Sequence, residues 1–576
     1  MNQKLENILN VSLDATEDEL RKADSLSTGY NWRDNTWEII VKYSGSLESI
    51  RNRYNVYIKE LLNYYAIIVA DKATIELISQ EDVIDYVEKP KSLYYQIERT
   101  KTAACVGSVR ADGNILSGKG VIVGVIDTGI DIFDNAFRNS DGTTRILNIY
   151  DQTTGEKYDK QSIDEYIRLN EDLSGGTFSY DNAPGVDNIM HGTDVSYIAA
   201  GSLGVAYEAD IIAVKMGYSI NNQFPRTTSL MDAIDYIIRK AIEYRKPVAV
   251  NISYGCNYGA HNGNTLLESF IDDISKSYRC VICVGSGNEA DKAIHFGGII
   301  NTGQVQTAYL SVGEYQSAMD IQIWKNYWDT IDVMLINPRG EQIGIITEGK
   351  INRYETYNTE IITLLGEPSP YNIYQEIYIN LIPKTDYILS GIWQIVLMAG
   401  NIRAGEYNIW LPSSQALGNA TSFNNPTADG TITIPATARN CIAVGAYNAY
   451  TNSYAAFSGR GFDNSIRNVN AGVKPDITAP GVDISIARQR GNDIIYRNVT
   501  GTSYAVPVVT GAAALLMQWG IVMGNDRFMY GEKLKAALID GSKPVGLAGI
   551  TGNDNYPDPR TGWGAVCLMN TLNKIL

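Results

Sequence analysis

Three short segments each set a reactive side chain beside glycine, at the end of an apolar run or the start of a helical one. They are VGVIDTGID (123–131), MHGTDVSYIAAG (190–201) and TGTSYAVPVVTGAAAL (500–515). Asp127 closes a run apolar enough to be a buried strand, and Thr128-Gly129 allows a tight turn after it. A carboxylate in such a place needs a partner. His191 precedes Gly192, Thr193 and a small, apolar helical stretch, which puts its imidazole at a helix N-terminus. Ser503 follows Gly501 and Thr502 and opens a helix whose small residues allow close packing. A serine hydroxyl is a weak nucleophile until an imidazole takes its proton, and a carboxylate must hold that imidazole in the right tautomer. Asp127, His191 and Ser503 supply those three groups. The chain has only 3 histidines in 576 residues, so the general base has few rivals. His261 (YGAHNGN) and His295 (KAIHFGG) sit in glycine-rich contexts and read as surface or loop-packing residues.

The order Asp, His, Ser along the chain is that of subtilisin. With the DTG, HGT and GTS motifs all present, residues 100–299 and 428–570 resemble the subtilisin-like serine proteases. The resemblance implies a serine endopeptidase and extends the site. Val284-Gly285-Ser286-Gly287-Asn288 matches the segment where that family carries its oxyanion asparagine. Asn288 is therefore expected to donate its amide to the oxyanion, with the Ser503 backbone N–H as second donor. Met216-Gly217-Tyr218 matches the strand along the non-primed side, and Ser253-Tyr254-Gly255 and Gly285-Ser286-Gly287 match the two walls of the S1 pocket. A protein or peptide substrate would add a strand to these edges, and Tyr254 would narrow access. The chain departs from the family at Asp194, where a second histidine is usual, and at Tyr504-Ala505-Val506-Pro507-Val508, where the family has Met-Ala-Ser-Pro-His. Neither change touches the triad. The family's calcium loops have no match here, so no metal and no other cofactor is expected.

The elements that must position these residues follow from pattern. From Gly120 onward, apolar runs alternate with helical stretches, among them Ser229 to Tyr244 and Thr265 to Tyr278. That alternation predicts an α/β fold, a parallel sheet with helices on both faces. Cys280 and Cys283 fall in one of the apolar runs and read as buried strand, not as a zinc site. Between Gly298 and Thr427 the helices stop and strand-like runs follow one another at turn-sized spacing, which predicts an inserted all-β domain, a sandwich or jelly roll. Residues 30–96 carry strand signals at 37–45 and 66–70, a helical stretch within Leu47 to Leu62, and a final helix and strand. This α+β module resembles the family's propeptide, whose C-terminal tail lies through the active site and is cut by the serine. The cut is expected between Gln96 and Ile97. The organisation expected is an N-terminal extension and prodomain at 1–96, a catalytic domain split into 97–299 and 428–576, and the insertion at 300–427.

Composition narrows the partners. The chain carries 48 Lys+Arg against 64 Asp+Glu, a net charge of −16, which repels phosphate backbones and anionic lipid. No nucleic acid partner is expected. No apolar run of about 18 residues suggests a membrane span, and the opening MNQKLENILN lacks a secretory signal, so synthesis in the cytosol is expected. Six scattered cysteines read as free thiols. The excess of 38 Tyr over 10 Phe reads as β-edge and interface residues. The missing signal, the prodomain and the long β insertion together look like the Csp-type proteases of clostridial spores. Members of that group activate the precursor of a cortex-degrading hydrolase in germination, keep their prodomain bound, and include pseudoproteases. The resemblance implies limited proteolysis of a protein precursor, the chain's own prodomain as a partner, and packaging in the spore. A catalytically weak pseudoprotease or signalling scaffold is the competing implication, drawn from the altered residues after Ser503.

Overall fold

The computed structural model describes residues 4–17, 20, 29–61, 64–89, 103–105, 110–111, 114–171, 183–217, 225–344, 346, 351–369, 372–418, 420–462, 472–490, 493–546 and 557–576. The chain divides into two compact units, Met1–Tyr94 and Tyr95–Leu576. Gln96, Ile97 and Tyr218, assigned above to the processing site and the substrate edge, lie outside the described residues.

In the first unit the strand Thr36–Tyr43 pairs antiparallel with Tyr30–Asn31, Tyr65–Ala70 and Ile84–Glu88, and Tyr57–Leu61 extends the sheet beyond Tyr65–Ala70. Trp37, Ile39, Val41 and Tyr43 alternate into one core with Leu9, Ile50, Ile75 and Ile78 from the helices. The helix expected within Leu47 to Leu62 is shorter, Glu48–Tyr54. Asn55 takes the left-handed conformation at φ 50° and stops it, and Tyr57–Leu61 then pairs as a strand. Local helical propensity yields here to a sheet edge that needs a partner.

The second unit is built on a sheet whose middle strand is Ile122–Asp127, flanked in parallel by Asp210–Lys215 and Val248–Ile252. Ile146–Asp151 continues it on one side, with Glu156–Asp159 antiparallel at that edge. Cys280–Gly285, Ile442–Asn448 and Ile477–Pro480 continue it on the other. The middle strand is buried along its whole length. Val123 and Val125 join the core under the helices His191–Ala200 and Thr502–Met517, whereas Ile122 and Ile126 join the core under Thr227–Tyr244 and Leu266–Ser277. Because strand side chains alternate, Asp127 falls on the same face as Val123 and Val125. That face carries the helices that begin with His191 and Thr502.

The strands from His295–Ile299 to Ser422–Phe423 form two antiparallel sheets, of six and five strands. Ile321, Ile323, Ile379 and Ile409 from one sheet share a core with Leu310, Val333, Ile395 and Leu397 from the other. The first of these strands begins at His295, a few residues before the boundary expected from pattern.

One expectation is corrected. Cys105 and Cys567 form a disulfide across 462 residues, while Cys256, Cys280, Cys283 and Cys441 are free thiols. Spacing along the chain could not reveal a pair that only the fold brings together. The helix Thr502–Val522 is long and apolar enough to span a membrane, yet 89% of its apolar 18-residue stretch is buried within the protein. It is the core helix of this unit, ending in a π turn over Gln518–Val522.

Candidate active site

Asp127 ends the middle strand at the carboxyl edge of the sheet, the edge at which α/β folds place their sites. It is 1% exposed. Its Oδ1 accepts from the Thr128 backbone N–H at 2.8 Å and lies 2.6 Å from His191 Nδ1. This contact makes Nδ1 the protonated nitrogen and leaves Nε2 as the base.

His191 is the first residue of its helix, and the residue before it, Met190, stands in the left-handed conformation at φ 66°. Asp187 holds this unusual entry. Its carboxylate accepts from the backbone N–H groups of Ile189, Met190 and Thr193 and from the hydroxyls of Thr128 and Thr193. The Thr128 hydroxyl accepts in turn from Gly192 N–H at 2.9 Å. Gly192 sits against the strand end so closely that a Cβ there would lie 2.3 Å from Gly129 O and 2.9 Å from Asp127 Cβ. The glycine of the HGT motif thus lets the histidine approach the carboxylate. Burial disfavours the imidazolium, but the charge and hydrogen bond of Asp127 outweigh it and hold His191 above its ordinary value of 6.5.

Ser503 is the second residue of the helix Thr502–Met517, which packs on the His191 helix and the middle strand. The ring of the next residue, Tyr504, lies 5.3 Å from the His191 ring. Among the described residues no hydrogen bond joins His191 to Ser503, as in many resting active sites where that bond tightens on substrate binding. Asn288, exposed at the end of Cys280–Gly285, accepts at Oδ1 from the backbone N–H and the hydroxyl of Thr502, at 3.0 and 3.1 Å. Those two donors fix which end of the amide is oxygen. The Nδ2 end lies beside Gly501, 3.6 Å from where a Cβ of that residue would sit.

The expected substrate edges also converge. Ser253 Oγ donates to Ser503 O at 3.3 Å. Gly255 and Gly287 face one another across Thr433, where a Cβ on either would come within 2.4 and 2.5 Å of the threonine side chain. Tyr254 is half-buried and packs on the core under Thr227–Tyr244. Gly285 and Ser286 are buried. Met216 is buried, and Gly217 N–H donates to Gln152 Oε1 at 3.1 Å. His261 and His295 are not surface residues: they are 4% and 1% exposed, and both rings stack on buried Trp410, with centroids 4.2 and 4.9 Å away. Asp187 escaped the motif reading, which also took Thr128 only as a turn residue. An aspartate four residues before a helix-opening histidine is the signal that turn and capping chemistry offered.

Among the described residues, no group of three or more His, Cys, Asp or Glu side chains is gathered as metal ligands would be.

Comparison with known proteins bears on the family. Residues 118–369 and 395–564 match the subtilase family, and residues 3–91 match the Csp protease B prodomain. The solved structure of the Clostridium perfringens CspB protease is 34% identical with a TM-score of 0.75, covering 83% of this chain and 97% of that one. A subtilase-type proteinase of Saccharomyces cerevisiae is 39% identical over 88 residues, and a subtilisin-like protease of Arthroderma otae 34% identical over 126, covering 15% and 20% of this chain. The chain spans only 15% and 28% of the length of these two curated relatives. A family match over most of the chain, together with a prodomain match at its start, means that the chain belongs to the subtilase family of serine endopeptidases.

Proposed function

We propose that Asp127, His191 and Ser503 work as one triad, that the chain cuts itself between Gln96 and Ile97, and that it then activates a protein precursor by limited proteolysis during spore germination. The observation that carries the reading is the 2.6 Å contact of Asp127 with His191 Nδ1, on the sheet face where the Ser503 helix begins. His191 Nε2 takes the Ser503 hydroxyl proton as the oxygen adds to the scissile carbonyl. Asp127 keeps the ring in place and stabilises the imidazolium. Asn288 Nδ2 and the Ser503 N–H, one of the unpaired donors of a helix N-terminus, receive the oxyanion. The imidazolium then protonates the leaving amine. Water, deprotonated by the same nitrogen, frees the acyl group from Ser503. The similarity to the CspB protease and the matching prodomain support the germination role and the prodomain as a partner.

N-terminal sequencing of purified wild type beside Ser503→Ala tests the reading. Wild type should begin at Ile97, with residues 1–96 as a separate fragment, and Ser503→Ala should remain one 63.4 kDa chain. Processing that persists in Ser503→Ala defeats it.

A further inference from the structure

The departure from the family at Asp194 has a partner. Asp194 lies one turn beyond His191 on the same helix and is fully buried. Its two carboxylate oxygens face two arginines, Arg488 Nε at 3.0 Å from Oδ1 and Arg497 Nε at 3.1 Å from Oδ2. The arginines come from opposite strands of one hairpin, Ile484–Arg490 and Asp493–Val499. Ile486 pairs with Arg497 and Arg488 with Ile495, so both guanidiniums leave the same face of the ribbon. Arg488 is 3% exposed and its Nη1 also lies 3.6 Å from Asp134 Oδ2, itself 1% exposed. Two carboxylates thus meet two guanidiniums. One turn beyond Asp194, the Tyr197 hydroxyl donates to Ala487 O on the hairpin. The hairpin's second strand ends at Val499, four residues before Ser503. One element is therefore fastened to the histidine helix and runs directly into the serine.

We infer that Asp194 and Arg488 are positioning residues that set the approach of His191 to Ser503. The inference rests on the triad reading above. A buried charge of either sign left alone is costly, so the hairpin cannot slide along the helix without breaking the pair, and the spacing between base and nucleophile is held from the hairpin side as Asp127 holds it from the sheet side. Arginine suits this place because its fork reaches Asp194 and Asp134 together, which a lysine point charge cannot do. Burial pushes both carboxyl groups up to about 6 in spite of the arginines, so the cluster is charged at neutral pH. The groups facing Asp194 are Arg488, Arg497, Asp187, His191 and Tyr504.

The test is the rate at which a fluorophosphonate labels Ser503 in the full chain, followed from pH 5 to 9, beside thermal melting. Asp194→Asn keeps the shape, leaves Arg488 with Asp134 and frees the half-exposed Arg497 to water. It should fold, label at least about tenfold more slowly, and shift its acid limb to lower pH because His191 loses a neighbouring anion. Arg488→Lys keeps the charge but not the fork and should label more slowly with the acid limb unmoved. If Asp194→Asn does not fold, Arg488→Lys decides. Labelling within twofold of wild type in either folded variant overturns the inference. A wild-type chain that takes no Ser503-dependent label overturns the triad reading itself.

Discussion

At the scale of single residues, the site works by fixing which atom of each polar group is free. Asp127 Oδ1 takes Nδ1 of His191 and so leaves Nε2 free to act as the base. Thr502 takes Oδ1 of Asn288 twice and so leaves Nδ2 as the donor. Asn288→Ala removes that donor together with the acceptor that Asn288 supplies to the backbone N–H and hydroxyl of buried Thr502. Turnover of a fluorogenic peptide spanning residues 91–99 should fall about 100- to 1000-fold, as when one oxyanion donor is lost. The Michaelis constant should change little, because the hydrogen bond forms mainly in the transition state. A loss confined to the Michaelis constant would instead place Asn288 in ground-state binding.

At the scale of elements, the site depends on how closely a helix start approaches a strand end. The His191 helix enters through the left-handed Met190, the cradle of Asp187 and the missing side chain of Gly192. Gly192→Ala adds one methyl into a space bounded by backbone, where neither Gly129 O nor the strand can yield. Overpacking of this kind costs about 1–3 kcal/mol. Its larger effect should be on rate, since the methyl pushes His191 away from Asp127. Calorimetry and fluorophosphonate labelling of the purified variant should show a modest loss of stability beside a loss of labelling of more than tenfold. Equal small effects on both would mean that the helix tilts without moving the imidazole. The same logic explains a missed element in the first unit, where Leu47 to Leu62 has helical propensity along its length. Asn55 and the open edge of Tyr65–Ala70 divide it into a helix and a strand.

At the scale of the whole molecule, Cys105 and Cys567 join residues 462 apart in sequence, tying the start of the second unit to the helix Leu568–Ile575 that closes it. Cys105→Ser with Cys567→Ser should cost about 2–4 kcal/mol and lower the melting temperature. Treatment of wild type with a reductant should reproduce the shift, and an unchanged melting curve would show that the bridge adds nothing. The bridge also marks how far the sequence could be read. The proposed triad could be read from the sequence because glycine-flanked reactive residues at strand ends and helix starts follow from local chemistry, and three such motifs in order constrain one another. The parallel sheet and the β insertion were legible because burial imprints a period on the chain. The bridge, the burial of His261 and His295 against Trp410, the cradle of Asp187 and the ion cluster of Asp194 with Arg488 left no such imprint. Each joins residues whose separation in sequence carries no information about their distance in space. By itself, then, the sequence determined which residues are proposed to carry the chemistry and what kind of sheet presents them. The tertiary structure decided what holds those residues at working distance, because a buried charge or a thiol acquires its partner only when distant segments pack together.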